Sequence, residues 1–238
     1  QEALAMATQK NWPVKTTLPN GSFAELQRLD EKGNPIYYVT SNVNAAKSTR
    51  ADHLNSGGSL GLNLNGQNMT AYVWDGGIAR ASHQEYDGAG GTNRFSVGDG
   101  SSSLNFHAAH VTGTIIASGV QPSAKGMAPH SRAIGSDWNS DLSEATSSAS
   151  NGMLLSNHSY GFRSDLVPDW YFGAYISDSR DWDNLMYNAP NYLMVVAAGN
   201  DGNTSYNGNP LNGNSAYDKL TGHSTSKNNL VVANAQDA

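Results

Sequence analysis

The pattern of apolar and polar residues changes near residue 60. Residues 1–60 are typical of an irregular, partly helical lead-in, with a turn indicated at 32–35 and a short strand at 36–40. Beyond it, short apolar runs alternate with longer stretches of helical periodicity. Uniformly apolar strands between helices indicate a parallel sheet that helices cover on both faces. We therefore predict an α/β, doubly wound, mostly parallel sheet in residues 61–238, preceded by an N-terminal extension.

The predicted strands are 69–75, 132–137, 154–159, 192–199 and 229–235, and the predicted helices are 106–119, 141–152 and roughly 172–188. In doubly wound sheets, ligands bind beyond the carboxyl ends of the strands. The residues that follow each predicted strand are therefore the first candidates for chemistry.

Composition narrows the class of partner. The chain has a net charge of -6 and no run of Lys or Arg, so we expect no nucleic-acid partner. No apolar stretch reaches the ~18 residues that a membrane span needs. Cysteine is absent, which excludes disulfides, thiolate zinc sites and a cysteine nucleophile. The lack of thiols and the low charged fraction of 14% fit a secreted or extracellular protein.

Two of the candidates are an acid and a histidine. Asp75 ends the strand 69–75 and opens into a Gly-Gly turn, where it can orient a base or serve as an ordinary turn residue. His107 and His110 lie three residues apart at the start of a predicted helix and so share one face. The HExxH spacing of a zinc site is missing. We favour a base held by a buried carboxylate, with His110 as a hydrogen-bonded structural histidine.

Two further strand ends complete the set. Ser159, Tyr160 and Gly161 follow a strand, and Gly161 would let an extended peptide approach the backbone; an ordinary turn is the alternative. Asn200 follows the strand 192–199 in a Gly-Asn-Asp-Gly turn. Its carboxamide can donate into a cleft, as an oxyanion hole requires, although such turns are also common without function.

In this order and spacing, these segments resemble the subtilase (subtilisin-like) family of serine proteases. The matching segments are Y-V-W-D-G-G (72–77), H-A-A-H-V-T-G-T-I (107–115), G-M-A-P (126–129), S-Y-G (159–161), V-V-A-A-G-N-D-G (195–202) and N-N-L-V-V-A-N-A (228–235). The resemblance covers about residues 69–238.

The resemblance implies a role for each candidate. Asp75 would be the triad acid, His107 the general base and Asn200 the oxyanion donor. The Ser159–Gly161 segment would line the substrate groove. Glu85 lies where many members have a calcium-ligating acid, so a structural calcium ion is implied there, with a solvated loop acid as the alternative. No catalytic cofactor is implied.

The sequence departs from the family pattern in two places. Ala108-Ala109 stand where the family usually has Gly-Thr, which is a mild change in a helix. The G-T-S-x-A-x-P segment that carries the nucleophile does not occur, and Gly222-His223-Ser224 precedes a strand and is interpreted as a loop. We therefore expect a sheet that is incomplete at its C-terminal side, with the serine on a C-terminal fragment of the same protease.

The function expected from these features is a serine endopeptidase that hydrolyses protein or peptide substrates by a Ser-His-Asp mechanism, with this chain alone inactive. The missing serine also fits a non-catalytic subtilase-like domain that binds peptides or assembles with partners. The retention of Asp75, His107 and Asn200 argues against that alternative. An unrelated doubly wound domain with a small ligand is a third possibility, but G-x-G-x-x-G and P-loop motifs are missing.

Overall fold

The computed structural model describes residues 2–17, 23–29, 33, 35–40, 42–162, 164–202 and 204–233. Within these residues, the N-terminal region has six elements: α1 (Glu2–Lys10), β1 (Lys15–Thr17), β2 (Phe23–Leu29), β3 (Pro35–Thr40), α2 (Asn42–Ser48) and α3 (Ala51–Leu54). The three strands pair in the order β1-β2-β3, and both pairings are antiparallel. The prediction of an irregular lead-in was therefore wrong about this sheet, although the helices and the strand at 36–40 are confirmed.

A second sheet forms the centre of the remaining described residues. Its six strands are β4 (Thr70–Asp75), β5 (Phe95–Val97), β6 (Arg132–Asp137), β7 (Leu155–His158), β8 (Leu193–Ala197) and β9 (Leu230–Val232). Three helices alternate with them: α4 (Phe106–Ile116), α5 (Asp141–Ser150) and α6 (Ser177–Asn188). The described part of the chain contains no helix long and apolar enough to cross a membrane.

All pairings in this sheet are parallel, in the order β5-β6-β4-β7-β8-β9. The chain builds one side of β4 with β5 and β6, and then crosses to the other side with β7, β8 and β9. The strand order thus reverses between β4 and β7, which is where doubly wound sheets place their ligand crevice. The predicted α/β, doubly wound, parallel fold is confirmed.

Helices cover both faces of the sheet. This follows from which strand residues share a face, because successive side chains of a strand point to opposite faces. Ala71 of β4 lies beside Ala133 of β6 and Trp74 lies beside Ser136, so Ala133 and Trp74 belong to opposite faces. Ala133 packs in a cluster with Phe95 and with α4, whereas Trp74 packs with α5 and α6. Each face therefore has its own apolar core, as expected for a parallel sheet that helices cover on both sides.

The main elements lie within a few residues of their predicted bounds. All five predicted strands and all three predicted helices are present, and β5 is the one strand of the six-stranded parallel sheet that was not predicted. The third helix begins at Ser177 rather than at 172, because Gly173 adopts a left-handed φ of 73° and the chain stays extended at Ile176. Residues 234 and 235 of the last predicted strand lie outside the described residues.

Candidate active site

Asp75 ends β4 beside the reversal point of the sheet. Its side chain is buried, with 2% of its surface exposed. Oδ1 accepts a hydrogen bond of 2.7 Å from the backbone N–H of Gly76. A buried carboxylate is costly without partners, so the remaining lone pairs of Asp75 need a donor from another element.

The start of α4 supplies that donor, because the chain segment before it pairs with the turn after Asp75. The N–H of Ile78 donates to the carbonyl of Ser103 at 2.8 Å, and the N–H of Asn105 donates back to the carbonyl of Ile78 at 3.0 Å. Gly77 makes this approach possible. Its φ is 143°, and a Cβ there would lie 2.5 Å from the carbonyl oxygen of Ser103.

Asn105 is the N-cap of α4, and the sequence analysis missed it. Its Oδ1 accepts from the backbone N–H groups of His107 at 2.8 Å and Ala108 at 3.1 Å. Its Nδ2 donates to the carbonyl of Gly76 at 3.1 Å, so the same side chain joins the helix to the turn after Asp75. An Asn directly before an apolar helix is the signal that could have identified it.

The result is a close pair between His107 and Asp75. Nδ1 of His107 lies 2.7 Å from Oδ2 and 2.9 Å from Oδ1 of the carboxylate. A carboxylate only accepts, so Nδ1 carries the proton, and Nε2 of the neutral ring is left with a free lone pair. The imidazole is 46% exposed, whereas the Asp75 side chain is 3% exposed. The pair therefore has the orientation of a general base held by a buried acid.

His107 faces a cleft of about 840 Å³ whose lining includes the other predicted residues. Ser159, Tyr160 and Gly161 form one part of the lining after β7, and Asn200 forms another after β8. Asp75 lies directly behind His107. The structure thus brings together every predicted site residue except Glu85.

The Asn200 turn is open to this cleft. Gly199 has a left-handed φ of 95°, which turns the chain away from β8. The Asn200 side chain is exposed and has no hydrogen bond with the described residues. Its carboxamide is therefore available as a donor at the edge of the cleft.

A buried chain of hydrogen bonds supports the opposite wall. The Tyr160 hydroxyl donates to Oδ2 of Asp141 at 2.5 Å, so it accepts from Nδ1–H of His158 at 2.8 Å. Nε2 of the neutral His158 ring then accepts from Ser156 Oγ at 2.7 Å, and that oxygen accepts from the Tyr192 hydroxyl at 2.6 Å. Every donor in this network therefore has an acceptor, and the hydrogen bonds with His158 and Asp141 hold the Tyr160 side chain in place.

Burial favours the neutral form of both His158 and Tyr160 in this hydrogen-bonded network. Burial, with a smaller contribution from His223, lowers the pKa of His158 to about 3. Burial followed by the nearby Asp141 carboxylate raises the pKa of the Tyr160 hydroxyl. Both side chains therefore stay neutral at physiological pH, as the donor and acceptor assignments require.

Glu85 lies elsewhere and does not fit a calcium ligand. Its Oε2 accepts from the backbone N–H groups of Gly119 at 2.8 Å and Val120 at 3.0 Å, and Oε1 accepts from Gln121 N–H at 2.8 Å. Three N–H dipoles that point at the carboxylate would repel a cation. The described residues also contain no group of three or more His, Cys, Asp or Glu that could hold a metal ion. Glu85 anchors the loop after α4, and calcium binding elsewhere stays an untested prediction.

Two further predictions concern nearby side chains. His110 is exposed on α4, and its ring forms no hydrogen bond with the described residues, so the expected hydrogen-bonded role stays a prediction. The Gly222–Thr225 segment is a 3₁₀ turn before β9, in agreement with a loop. Ser224 is buried there, and its hydroxyl donates to the carbonyl of Thr221 at 2.6 Å.

Comparison with protein families agrees with this arrangement. The family model described as Subtilase family, Peptidase S8, matches residues 66–238, which is well over half of the chain. The chain belongs to the subtilase family. No curated protein matches it closely enough to serve as a relative.

Two solved structures are similar to this subtilase chain. The CspB protease of Clostridium perfringens has a TM-score of 0.50 at 18% identity, over 67% of this chain and 41% of that one. MycP1 with its N-terminal propeptide removed has a TM-score of 0.42 at 19% identity, over 66% of this chain and 49% of that one. The first similarity supports the subtilisin-like fold. The subtilase chain spans less than half the length of either protein.

Proposed function

We propose that this chain supplies the acid, the general base and the oxyanion donor of a secreted subtilisin-like serine endopeptidase. The pair between Asp75 and His107 carries the proposal, because Nδ1 is held by the buried carboxylate while Nε2 faces the cleft. A C-terminal segment of the same protease would bring the serine. Membership of the subtilase family supports a serine mechanism and an extracellular location, and a chain without cysteine offers no cysteine nucleophile.

Each residue has a step in acyl transfer. His107 Nε2 takes the proton of the serine hydroxyl as the oxygen attacks the scissile carbonyl, and later returns it to the leaving amine. The Asp75 carboxylate stabilises the imidazolium that forms between these steps. The Asn200 carboxamide donates to the oxyanion of the tetrahedral intermediate. The Ser159–Gly161 segment holds the peptide by backbone pairing.

A fluorophosphonate probe tests the proposal, because it labels only an activated serine. The longer protein that contains this chain and the serine segment should be labelled, and the 238-residue chain alone should not. His107→Ala should slow labelling by about 10³-fold or more, and Asn200→Ala by about 10²–10³-fold.

The matched control is His110→Ala, one helical turn from His107 on α4. Its ring is exposed and unbonded among the described residues, so labelling should stay within about twofold of wild type, since surface changes of this kind are nearly neutral. Equal labelling of wild type and the His107 variant would refute the proposal. Peptide binding without any labelling would instead favour a non-catalytic peptide-binding domain.

A further inference from the structure

The proposed peptide groove would leave one backbone group, the carbonyl of Tyr160, without a partner from the peptide. In an extended strand, the backbone groups of successive residues point to opposite sides. A peptide that pairs with Ser159 and Gly161 leaves the carbonyl of Tyr160 directed away from it. A buried carbonyl without a partner is unfavourable, so another element has to supply a donor.

His223 is that donor. Its Nε2 lies 3.2 Å from the carbonyl oxygen of Tyr160, and 63 residues separate the two in sequence. A carbonyl only accepts, so the proton of the ring is on Nε2. Only 4% of the His223 surface is exposed, and its ring also packs edge-on against the Tyr160 ring, with 5.3 Å between the centroids.

The other side of the His223 ring faces α6. Nδ1 lies 3.7 Å from Oδ2 of Asp178, which is buried and accepts no hydrogen bond from the described residues. That distance is too long for a hydrogen bond. The negative charge of Asp178 lies on the Nδ1 side of the ring, so the contact that favours a proton on Nε2 is the one with the Tyr160 carbonyl.

The position of His223 is itself fixed by hydrogen bonds to its 3₁₀ turn. Ser179 Oγ of α6 donates to the carbonyl of Gly222 at 3.0 Å. Asn229 Nδ2 donates to the carbonyl of His223 at 2.9 Å, and Ser226 Oγ donates to the carbonyl of Ser179 at 3.0 Å. The imidazole is therefore held on a rigid support rather than on a free loop.

We propose that His223 is a positioning residue of the peptide groove, which holds the Tyr160 carbonyl so that Ser159 and Gly161 face an extended peptide. The inference rests on the proposed function for its peptide. The hydrogen bond between His223 and Tyr160 is a property of the free protein and is testable by itself. His223 touches no reacting atom, so its removal should weaken peptide binding and leave the chemical step unchanged.

Two variants separate the donor from the bulk of the ring. His223→Gln keeps an amide N–H at a similar reach, and His223→Leu has similar size without a donor. In the protease completed by its serine segment, the Leu variant should raise KM for an extended peptide by about tenfold, the equivalent of one hydrogen bond. Its kcat and its labelling by a small fluorophosphonate should stay within about twofold, and the Gln variant should recover most of the KM.

Two measurements need no activity. Amide hydrogen exchange at residues 159–162 should be faster in His223→Leu than in wild type or His223→Gln, with β4 unchanged. Nitrogen-15 NMR of the wild-type rings should show the neutral His223 protonated on Nε2. Because it uses the wild-type protein, this spectrum tests the Nε2 proton of His223 even where the Leu variant fails to fold.

The outcomes distinguish the two proposals. A wild-type protein that is never labelled contradicts the proposed function, and the exchange and NMR results still test the hydrogen bond. A His223 ring protonated on Nδ1, equal exchange in all three proteins, or a Gln variant as impaired as the Leu variant would overturn the positioning role.

Discussion

Replacing Glu85 with glutamine separates a loop anchor from a calcium ligand. The carboxylate accepts three backbone N–H bonds, from Gly119, Val120 and Gln121. A glutamine can keep its oxygen toward the first two donors, but its NH₂ group then faces the third N–H. One charge-assisted bond is lost, and a buried donor is left against another donor. Bonds to charged groups contribute about 1.5–3 kcal/mol, so we expect a loss of about 3 kcal/mol of unfolding free energy.

Thermal unfolding in EDTA and in millimolar calcium is the assay. For a domain of this size, about 3 kcal/mol corresponds to a fall in Tm of roughly 6–12 °C. An anchor predicts the same fall in both buffers. A calcium ligand predicts instead that calcium raises the Tm of wild type and that Glu85→Gln removes this dependence.

Glu144→Gln is the matched control. Oε2 of Glu144 accepts one hydrogen bond of 2.9 Å from the indole N–H of Trp74, and a glutamine oxygen can accept the same bond. We expect a loss below about 1 kcal/mol, mostly from the interaction of the negative charge with the first turn of α5. A loss at Glu144 as large as at Glu85, or a calcium dependence that Glu85→Gln abolishes, would refute the anchor.

Two further predictions concern the walls of the cleft. Since burial lowers the pKa of His158 to about 3, its ring should not titrate between pH 8 and pH 5 in the folded protein, whereas in urea it should titrate near 6.5. The neutral form is favoured by folding, so this stabilisation is present above pH 6.5 and declines as pH falls toward 3, which denaturant unfolding at several pH values would show. Gly222→Ala should lower the free energy of unfolding more than Gly213→Ala. Both glycines have a left-handed φ, 60° and 67°, which costs an alanine about 1–2 kcal/mol. At Gly222 the new Cβ would also lie 2.8 Å from the Phe162 ring, whereas at Gly213 it would meet nothing within 4 Å. Equal losses in the two variants would show that the Phe162 contact is unimportant.

The sequence predicted the main sheet because burial on both faces leaves a simple pattern. Runs such as 192–199 are apolar throughout and are bounded by Gly and Asn, so their type is clear from the residues alone. β5 (Phe95–Val97) lies at the sheet edge and has three residues, too few to show a period. Short edge strands depend on their neighbour for their hydrogen bonds rather than on local pattern.

The N-terminal sheet was missed for a different reason. β2 contains Glu, Leu, Gln and Arg, which are good helix formers, and its pairing with β3 is irregular between Leu26 and Arg28. That irregularity disrupts the alternation of side chains that marks a strand. Antiparallel pairing on both sides of β2 therefore outweighs the helical propensity of its residues.

The residues of the candidate site also differ in how much local sequence signal they have. Asp75, His107 and Asn200 could be found because each ends a strand or begins a helix with a recognisable residue type. Asn105 had a local signal as a helix cap. His223 had none, because its hydrogen bond to the Tyr160 carbonyl joins residues that only the folded sheet brings together.

Two buried carboxylates in this chain, Glu85 and Asp75, differ in the partners that satisfy them. Glu85 is 8% exposed, and three backbone N–H groups of the loop after α4 satisfy its carboxylate. Asp75 is 2% exposed and has a single backbone donor, from Gly76. Its other partner is the imidazole of His107, which is 46% exposed at the cleft.

The difference has an energetic meaning. A buried carboxylate that depends on a neutral imidazole is less stabilised than one surrounded by fixed amides, and it gains most when that imidazole becomes charged. In the proposed mechanism, Asp75 is therefore best satisfied in the state that forms when His107 has taken a proton from a nucleophile. An arrangement that stabilises the resting fold less would then favour the proposed proton transfer, which is the expected relation between folding stability and a catalytic site.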